Sequence, residues 1–204
     1  SITAVRSREG LLKLTVADTG VGIAEEDQQA IFEKFRQGAT VALLGRTQRK
    51  LVRTYDRIVA DGGPQPALLP FNLETAAAPE YEALFDALDR EFGHLDGLAH
   101  VAGILGDLSP VEQYDVPTWC KVLHVNLTAA FLLTRTLLPL LRKSEDASIA
   151  FTSSTVGRVG RAYWGAYAAS KFGTEGLMQV LAHEMADTTR NRVNSLNPGP
   201  TRTN

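Results

Sequence analysis

A tyrosine and a lysine lie four residues apart in the segment Tyr167-Ala168-Ala169-Ser170-Lys171. In an α-helix this spacing places both side chains on one face. A phenol can deliver a proton to the alkoxide that forms when a carbonyl is reduced, although its ordinary pKa is about 10. An ammonium group one turn away stabilises the phenolate and lowers that pKa. The pair therefore predicts acid–base chemistry at an oxygen atom.

Two serines, Ser153 and Ser154, precede this pair at the end of a strand-like segment. A serine hydroxyl can hydrogen-bond a substrate oxygen and hold it against the phenol. Tyr-x-x-x-Lys alone occurs often in helices by chance, so the serine carries much of the prediction. We interpret Ser154, Tyr167 and Lys171 as candidate catalytic residues.

Strand-like and helix-like patterns alternate along the chain and would position these side chains. The predicted strands cover six segments, namely 11–17, 40–44, 67–71, 97–101, 148–153 and 192–196. Two long helices are predicted over 119–141 and 165–185. This alternation predicts the α/β class, with a Rossmann-like doubly wound parallel sheet in three α/β/α layers. Ligands bind such sheets at the carboxyl ends of the strands, where Ser154 falls.

Composition limits the classes of partner. The chain has 204 residues, a formal net charge of -2 and 44% hydrophobic residues, as a folded domain of ordinary size has. We therefore expect no nucleic-acid partner, and no apolar run reaches the ~18 residues of a membrane span. The only cysteine, Cys120, offers no cysteine-based metal site, and no metal is predicted. A cytoplasmic location is the expectation.

Residues 38–204 resemble the short-chain dehydrogenase/reductase family, and within it the bacterial members of the YciK type. The motifs that carry the resemblance occur in family order: Leu44-Gly45-Arg46, Ala102-Gly103, Val125-Asn126, Ser153-Ser154, Tyr167 to Lys171 and Asn197-Pro198-Gly199. The resemblance implies Tyr167 as general acid/base, Lys171 as its activator and ribose ligand, and Ser154 as donor to the substrate oxygen. It also implies Asn126 as the anchor of a proton-relay water.

The resemblance also implies a nicotinamide dinucleotide as cofactor. The residues expected along it are Gly20, Gly22, Arg46, Asn72, Leu73, Ala102, Gly103, Tyr167, Lys171, Pro198, Gly199 and Thr201. Arg46 follows the second predicted strand, where an arginine suits a ribose 2′-phosphate. NADP(H) is therefore favoured over NAD(H). The alternative is that Arg46 is a solvated turn residue.

One departure from the family pattern follows the fourth predicted strand. The family commonly has Asn-Asn-Ala-Gly there, whereas this chain has His100-Val101-Ala102-Gly103. Val101 cannot supply the amide side chain, so a local hydrogen bond is lost. We expect His100 to pack or to hydrogen-bond locally, and Asn72, where the family usually has aspartate, to remain able to bond adenine.

Residues 1–37 depart more strongly. The family's Thr-Gly-x-x-x-Gly-x-Gly loop would cradle a diphosphate, but residues 18–22 read Asp-Thr-Gly-Val-Gly and carboxylates follow at 25–27. Leu14 to Ile23 and Ile31 to Gln37 instead resemble the ATP-binding domain of sensor histidine kinases. We therefore expect a chimera in one structural domain, in which 1–37 is a strand–turn–helix that replaces the first βα unit of the dehydrogenase region 38–204. The alternative is a divergent natural sequence.

The family usually continues beyond Pro198-Gly199, so we expect a fold truncated at its carboxyl end. Three functions stay open: an NADP(H)-dependent oxidoreductase acting on a carbonyl or secondary alcohol, a catalytically silent scaffold, and an ATP-binding module. In this family the two long helices commonly pair between subunits, which implies a homodimer or homotetramer. The sequence does not identify the substrate.

Overall fold

The strands form one mixed sheet at the centre of the molecule. The computed structural model describes residues 2–4, 12–16, 40–186 and 191–199. Its strands are β1 (Ile2–Ala4), β2 (Leu12–Val16), β3 (Thr40–Gly45), β4 (Ala67–Pro70), β5 (Gly97–His100), β6 (Ser148–Thr152) and β7 (Arg192–Leu196).

Helices connect the strands in the alternation that the sequence predicts. The α-helices are α1 (Gln48–Ala60), α2 (Ala78–Phe92), α3 (Val116–Leu123), α4 (Ala129–Arg142) and α5 (Gly165–Ala186). Short 3₁₀ turns lie at Val111–Gln113 and Thr155–Gly157, and a π-helical turn at His124–Thr128 joins α3 to α4. The predicted helix over 119–141 is therefore one long helix with a widened turn in its middle.

The strand order β4-β3-β2-β5-β6-β7 is that of a doubly wound sheet, and all neighbours along this path are parallel. The order reverses between β2 and β5, which pair from Lys13 with Gly97 to Val16 with His100. The crevice outside the carboxyl ends of these two strands is where such folds bind ligands. The predicted α/β class and doubly wound sheet are confirmed.

A seventh strand corrects the predicted count of six. β1 pairs antiparallel with β2, from Ile2 with Val16 to Ala4 with Leu14. The pairing of β2 with β3 is limited to Leu12 with Thr40. A strand has only two hydrogen-bonding edges and β5 occupies one of them, so β1 and β3 share the other. A segment of three residues is too short to show the alternation on which the sequence prediction depended.

Apolar side chains cover both faces of the sheet. Along β3, Val41 and Leu43 point to one face and pack with α1, whereas Ala42 and Leu44 join the main core on the other face. Helices α2, α4 and α5 supply the helical side of that main core. This two-sided burial explains why β3 is an unbroken apolar run, and it gives the three layers that the sequence predicts.

The helical segment Val116–Arg142 is long and apolar enough to cross a membrane by length and composition alone. Buried residues of α4 such as Leu133, Leu137 and Leu140 belong to the main core. A core helix of a globular protein meets the same criterion, so this segment carries no argument for a membrane.

Candidate active site

Three candidate catalytic side chains come together where β6 ends and α5 begins. Ser154 follows β6 and precedes the turn Thr155–Gly157. Tyr167 and Lys171 lie on successive turns of α5. The Ser154 side chain lies close enough to the Tyr167 hydroxyl to lower the pKa of the phenol. The sequence-predicted serine, tyrosine and lysine therefore form one cluster at the carboxyl edge of the sheet.

Lys171 is almost fully buried, with 3% of its surface exposed. Its Nζ donates a hydrogen bond to the carbonyl oxygen of Thr152 at 2.7 Å and lies 5.5 Å from the centroid of the Tyr167 ring. Burial lowers the pKa of Lys171 to about 8. The ammonium thus faces the aromatic ring, with the end of β6 fixing its position.

The pKa of Tyr167 differs from the sequence expectation. The ammonium of Lys171 was expected to lower it, but burial raises the pKa of Tyr167, and Ser154 only partly opposes that rise. The physical reason is the loss of solvent around the buried phenol, which disfavours its charged form. In this arrangement Tyr167 is a protonated phenol at neutral pH.

Asn126 lies in the π-helical turn, and its side chain makes three hydrogen bonds. Its Oδ1 accepts from the N–H of Ile104 at 2.8 Å, and its Nδ2 donates to the carbonyl of Ile104 at 2.9 Å and to Ser170 Oγ at 3.0 Å. The side chain therefore ties the loop after β5 to α5. Both N–H groups of the amide are used, and Oδ1 keeps one lone pair to which a relay water or a ligand could donate.

Ser170 is a structural part of the site that the sequence analysis did not single out. It is fully buried, and its Oγ donates to the carbonyl of Tyr167 at 2.7 Å while accepting from Asn126. The signal that could have revealed it is a small polar residue beside Lys171 on a helix face that otherwise packs inward. Ser170 links Asn126 to the helix that carries Tyr167.

The cofactor side of the site begins at the loop after β5, beside the switch point. A Cβ atom on Gly103 would lie 3.5 Å from Asn126 Oδ1 and 3.7 Å from Lys171 Nζ. The glycine therefore keeps the space in front of these two polar groups open. Ala102 precedes it at the edge of the main core. Both predicted residues lie where a ligand in the crevice would pass.

Arg46 and Asn72 each have a protein partner at the outer end of the crevice. Arg46 Nη1 lies 3.2 Å from Glu74 Oε2, and Lys121 Nζ lies 2.7 Å from Glu74 Oε1. Asn72 Oδ1 accepts from the N–H of Glu74 at 3.1 Å, and the neighbouring Leu73 is buried. The Asn72 oxygen thus closes its own turn.

The remaining predicted cofactor residues divide between the two ends of the chain. Pro198 and Gly199 follow β7 and are exposed, and Gly199 has a φ of 74°. Gly20, Gly22 and Thr201 lie outside the described residues, as does the predicted helix over 24–37. The loop that would hold a diphosphate therefore has no structural account here.

His100 packs and bonds locally, as predicted. Its ring stacks on Phe151 with centroids 4.6 Å apart, and its Nε2 is 2.8 Å from Thr134 Oγ1. The single proton of that hydroxyl goes to the carbonyl of Ala130 at 2.8 Å, so Nε2 of His100 must carry the proton that Thr134 accepts. Burial, with a smaller effect of the Lys171 charge, lowers the pKa of His100 to about 3. Across the described ranges no cluster of three or more histidine, cysteine or acidic side chains could hold a metal ion.

Comparison with known proteins agrees with this architecture. The family model for short chain dehydrogenases matches residues 16–204. The uncharacterized oxidoreductase YciK of Escherichia coli strain K12 is 45% identical over 193 residues, which are 95% of this chain and 74% of that protein. Both matches cross the predicted boundary between residues 37 and 38. The resemblance to the family and to the YciK type is confirmed, while neither match supports a separate histidine kinase segment.

Solved structures give the same result. A protein from Pseudomonas syringae described as a short chain dehydrogenase aligns with a TM-score of 0.82 and 50% identity, over 92% of this chain and 77% of that chain. A short chain dehydrogenase from Shigella flexneri 2a str. 301, complexed with NADP, aligns with a TM-score of 0.83 and 43% identity. That alignment covers 93% of this chain and 78% of the Shigella chain.

Proposed function

Because the chain belongs to the short-chain dehydrogenase/reductase family, we propose that it transfers a hydride between a nicotinamide dinucleotide and a carbonyl compound or secondary alcohol. The observation that carries the proposal is the cluster of Ser154, Tyr167 and Lys171 at the carboxyl edge of the sheet. We further propose a cytoplasmic location and small-molecule substrates.

Two features of the described residues, at Gly103 and at Lys171, fit a nicotinamide dinucleotide. Gly103 leaves open the space in front of Asn126 Oδ1 and Lys171 Nζ, which a Cβ atom would fill. Lys171 gives one N–H to the Thr152 carbonyl, so its other N–H groups are available to ribose hydroxyls. When bound, the nicotinamide would supply or accept the hydride.

In the reductive direction we assign the proton transfer to Tyr167. Its phenol, which burial keeps protonated, would donate to the substrate oxygen, and the Ser154 hydroxyl would donate to the same atom. The Lys171 ammonium, 5.5 Å from the ring centroid, would then stabilise the phenolate that remains. In the oxidative direction the phenol must first lose its proton, so alcohol oxidation should speed up as the pH rises.

NADP(H) remains the favoured cofactor in this proposal. Arg46 lies just beyond the carboxyl end of β3 with about half of its side chain exposed, and it is held by Glu74 at 3.2 Å. A pair that exposed contributes about 1 kcal/mol at most, so a 2′-phosphate can compete for the guanidinium. The related Shigella protein complexed with NADP gives further support.

A cofactor titration with one matched variant tests the proposal. NADPH and NADP+ are titrated by calorimetry, and carbonyl reduction is followed through NADPH absorbance over a panel of aldehydes and ketones. We expect saturable binding, and Tyr167→Phe should lower kcat by at least about a thousandfold while changing the cofactor Kd by less than about threefold, since only the acid is removed.

The same titration separates the competing functions. No saturable binding at millimolar cofactor would refute the oxidoreductase and leave the silent chimeric scaffold that the sequence allows. Equal turnover by Tyr167→Phe would refute the role of the phenol. Magnesium-dependent binding of ATP in place of NADPH would instead favour an ATP-binding module.

A further inference from the structure

A buried carboxylate lies one helical turn beyond Lys171 on the same face of α5. Glu175 has 8% of its surface exposed, and its Oε2 accepts a hydrogen bond from Ser195 Oγ of β7 at 3.1 Å. This hydrogen bond involves neither Tyr167 nor Lys171. A buried carboxylate is costly unless its charge is compensated, so its placement beside the candidate catalytic residues requires a reason.

The second oxygen of this carboxylate faces the turn that carries Ser154. Within the part of the chain that the structure describes, Glu175 Oε1 is buried and has no hydrogen-bond partner. The nearest cation is Arg158, whose Nε lies 3.8 Å away. Arg158 comes directly after the turn Thr155–Gly157. The unused acceptor is thus aimed at the residue that ends this turn.

The turn itself is in close contact with α5. A Cβ atom on Gly157 would come within 3.0 Å of the Lys171 carbonyl oxygen, and the Arg158 N–H donates to the Thr155 carbonyl at 3.1 Å. At the other oxygen, Ser195 lies three residues before Pro198, where the carboxyl-terminal segment expected along the cofactor begins. Three elements that would surround the reacting atoms therefore meet at Glu175.

We propose that Glu175 is a positioning residue that fixes the Ser154 turn, through Arg158, and the carboxyl end of β7, through Ser195, relative to Tyr167 and Lys171. The inference rests on the proposed function. A carboxylate suits the task because it accepts on two sides at once and carries the charge that attracts the guanidinium, whereas a glutamine has one acceptor oxygen and no charge. Misplacement of a reacting group by about 1 Å can cost on the order of a hundredfold in rate.

The test compares Glu175→Gln, Arg158→Gln and the double variant with Glu184→Gln, an exposed carboxylate on the same helix. For Glu175→Gln we expect kcat with the best carbonyl of the panel to fall about tenfold, with the NADPH Kd changed less than about twofold. Ser154 lowers the pKa of Tyr167. Displacement of Ser154 in Glu175→Gln should therefore raise that pKa, and the rise of alcohol oxidation with pH should shift to higher pH. The double variant should be no slower than the slower single variant.

Hydrogen exchange provides a readout that needs no turnover. In the unliganded protein, Glu175→Gln should increase amide exchange at Gly157 and Arg158, whose N–H groups close the turn, and Glu184→Gln should not. Unchanged exchange in that turn would overturn the inference whether or not the protein turns over. A wild-type kcat in Glu175→Gln would overturn it too. So would a loss of kcat that is explained by a lower Tm, with the effects of the two single variants adding up in the double variant. An inactive wild type would refute the proposed function alone.

Discussion

Buried titratable side chains set the chemistry and also limit the stability of the fold. Burial of Lys171 disfavours the charged form of its side chain, which is why its pKa falls to about 8. Its folded pKa lies below the unfolded value, so below pH 8 the fold carries the full cost of burying the ammonium. That cost is relieved only as the pH rises from about 8 to the unfolded value. A residue that weakens the fold at neutral pH in this way is typical of a functional site.

His100 gives a prediction about stability that does not depend on turnover. Its pKa is about 3 in the fold and about 6.5 when unfolded, so between these values the unfolded chain binds a proton that the fold excludes. Stability should therefore fall as the pH drops from about 6.5 towards 3, by up to about 1.4 kcal/mol per pH unit from this one group. Denaturation midpoints of the wild type and His100→Gln from pH 7.5 to 4 measure it.

The expected result is a flatter curve for His100→Gln than for the wild type. Replacement of the exposed His183 by glutamine controls for the loss of a histidine, and its curve should run parallel to that of the wild type. Parallel curves for all three proteins would contradict a neutral, buried His100.

The site residues differ in how far the sequence could predict them. Ser154, Tyr167 and Lys171 follow from motif and spacing because a helix fixes which side chains share a face. The raised pKa of Tyr167 could not be predicted, since it depends on how deeply the tertiary fold buries the phenol. The ion pair between Arg46 and Glu74 could not be predicted either, because the two residues are 28 positions apart and only the folding of the sheet brings them together.

At the scale of elements, the turn after β6 packs closely against α5 because Gly157 has no side chain. Gly157 packs against the backbone of Lys171, where a Cβ atom would be 3.0 Å from the carbonyl oxygen and 3.1 Å from the carbonyl carbon. A helix backbone cannot move aside as a side-chain end can. Gly160 lies in the same loop, and a Cβ atom there would meet nothing within 4 Å.

We therefore expect Gly157→Ala to destabilise the protein by about 1–3 kcal/mol, the range typical of overpacking. It should also lower kcat, because the turn that carries Ser154 must move away from α5. Gly160→Ala is the matched control and should leave both quantities within about 0.5 kcal/mol and twofold of the wild type. Urea denaturation and NADPH oxidation measure them; equal behaviour of the two variants would show that the turn is not held by this contact.

The elements themselves were largely predictable, and the two exceptions, the short strand β1 and the π-helical turn before α4, have physical causes. Strands such as β3 are buried on both faces and appear as continuous apolar runs. The π-helical turn His124–Thr128 was not predicted, because its residues fit an ordinary helix pattern. Its cause is tertiary: Asn126 bonds Ile104 across the site, and widened turns of this kind are frequent at functional sites.

At the scale of the whole molecule, apolar side chains remain exposed on the helices expected to pair between subunits. Phe131 on α4 is 46% exposed, and Phe172 and Val180 on α5 are 45% and 56% exposed. The two segments are neighbours, because a Cβ atom on Gly173 of α5 would touch Leu127 in the turn before α4. A face of this composition on two adjacent helices supports the predicted homodimer or homotetramer.

In a two-fold symmetric interface each substitution occurs on both subunits, so its effect on the free energy of dissociation is doubled. Burial of each valine is worth about 1.5 kcal/mol, so Val180→Glu should weaken a dimer by about 3 kcal/mol, or at least about a hundredfold in Kd, before charge repulsion is added. Sedimentation equilibrium should then give the mass of a monomer. Val52→Glu, on α1 at the opposite face of the sheet and 39% exposed, is the matched control and should keep the wild-type mass. A monomeric wild type, or a Val180→Glu variant of unchanged mass, would show that this face is not the interface.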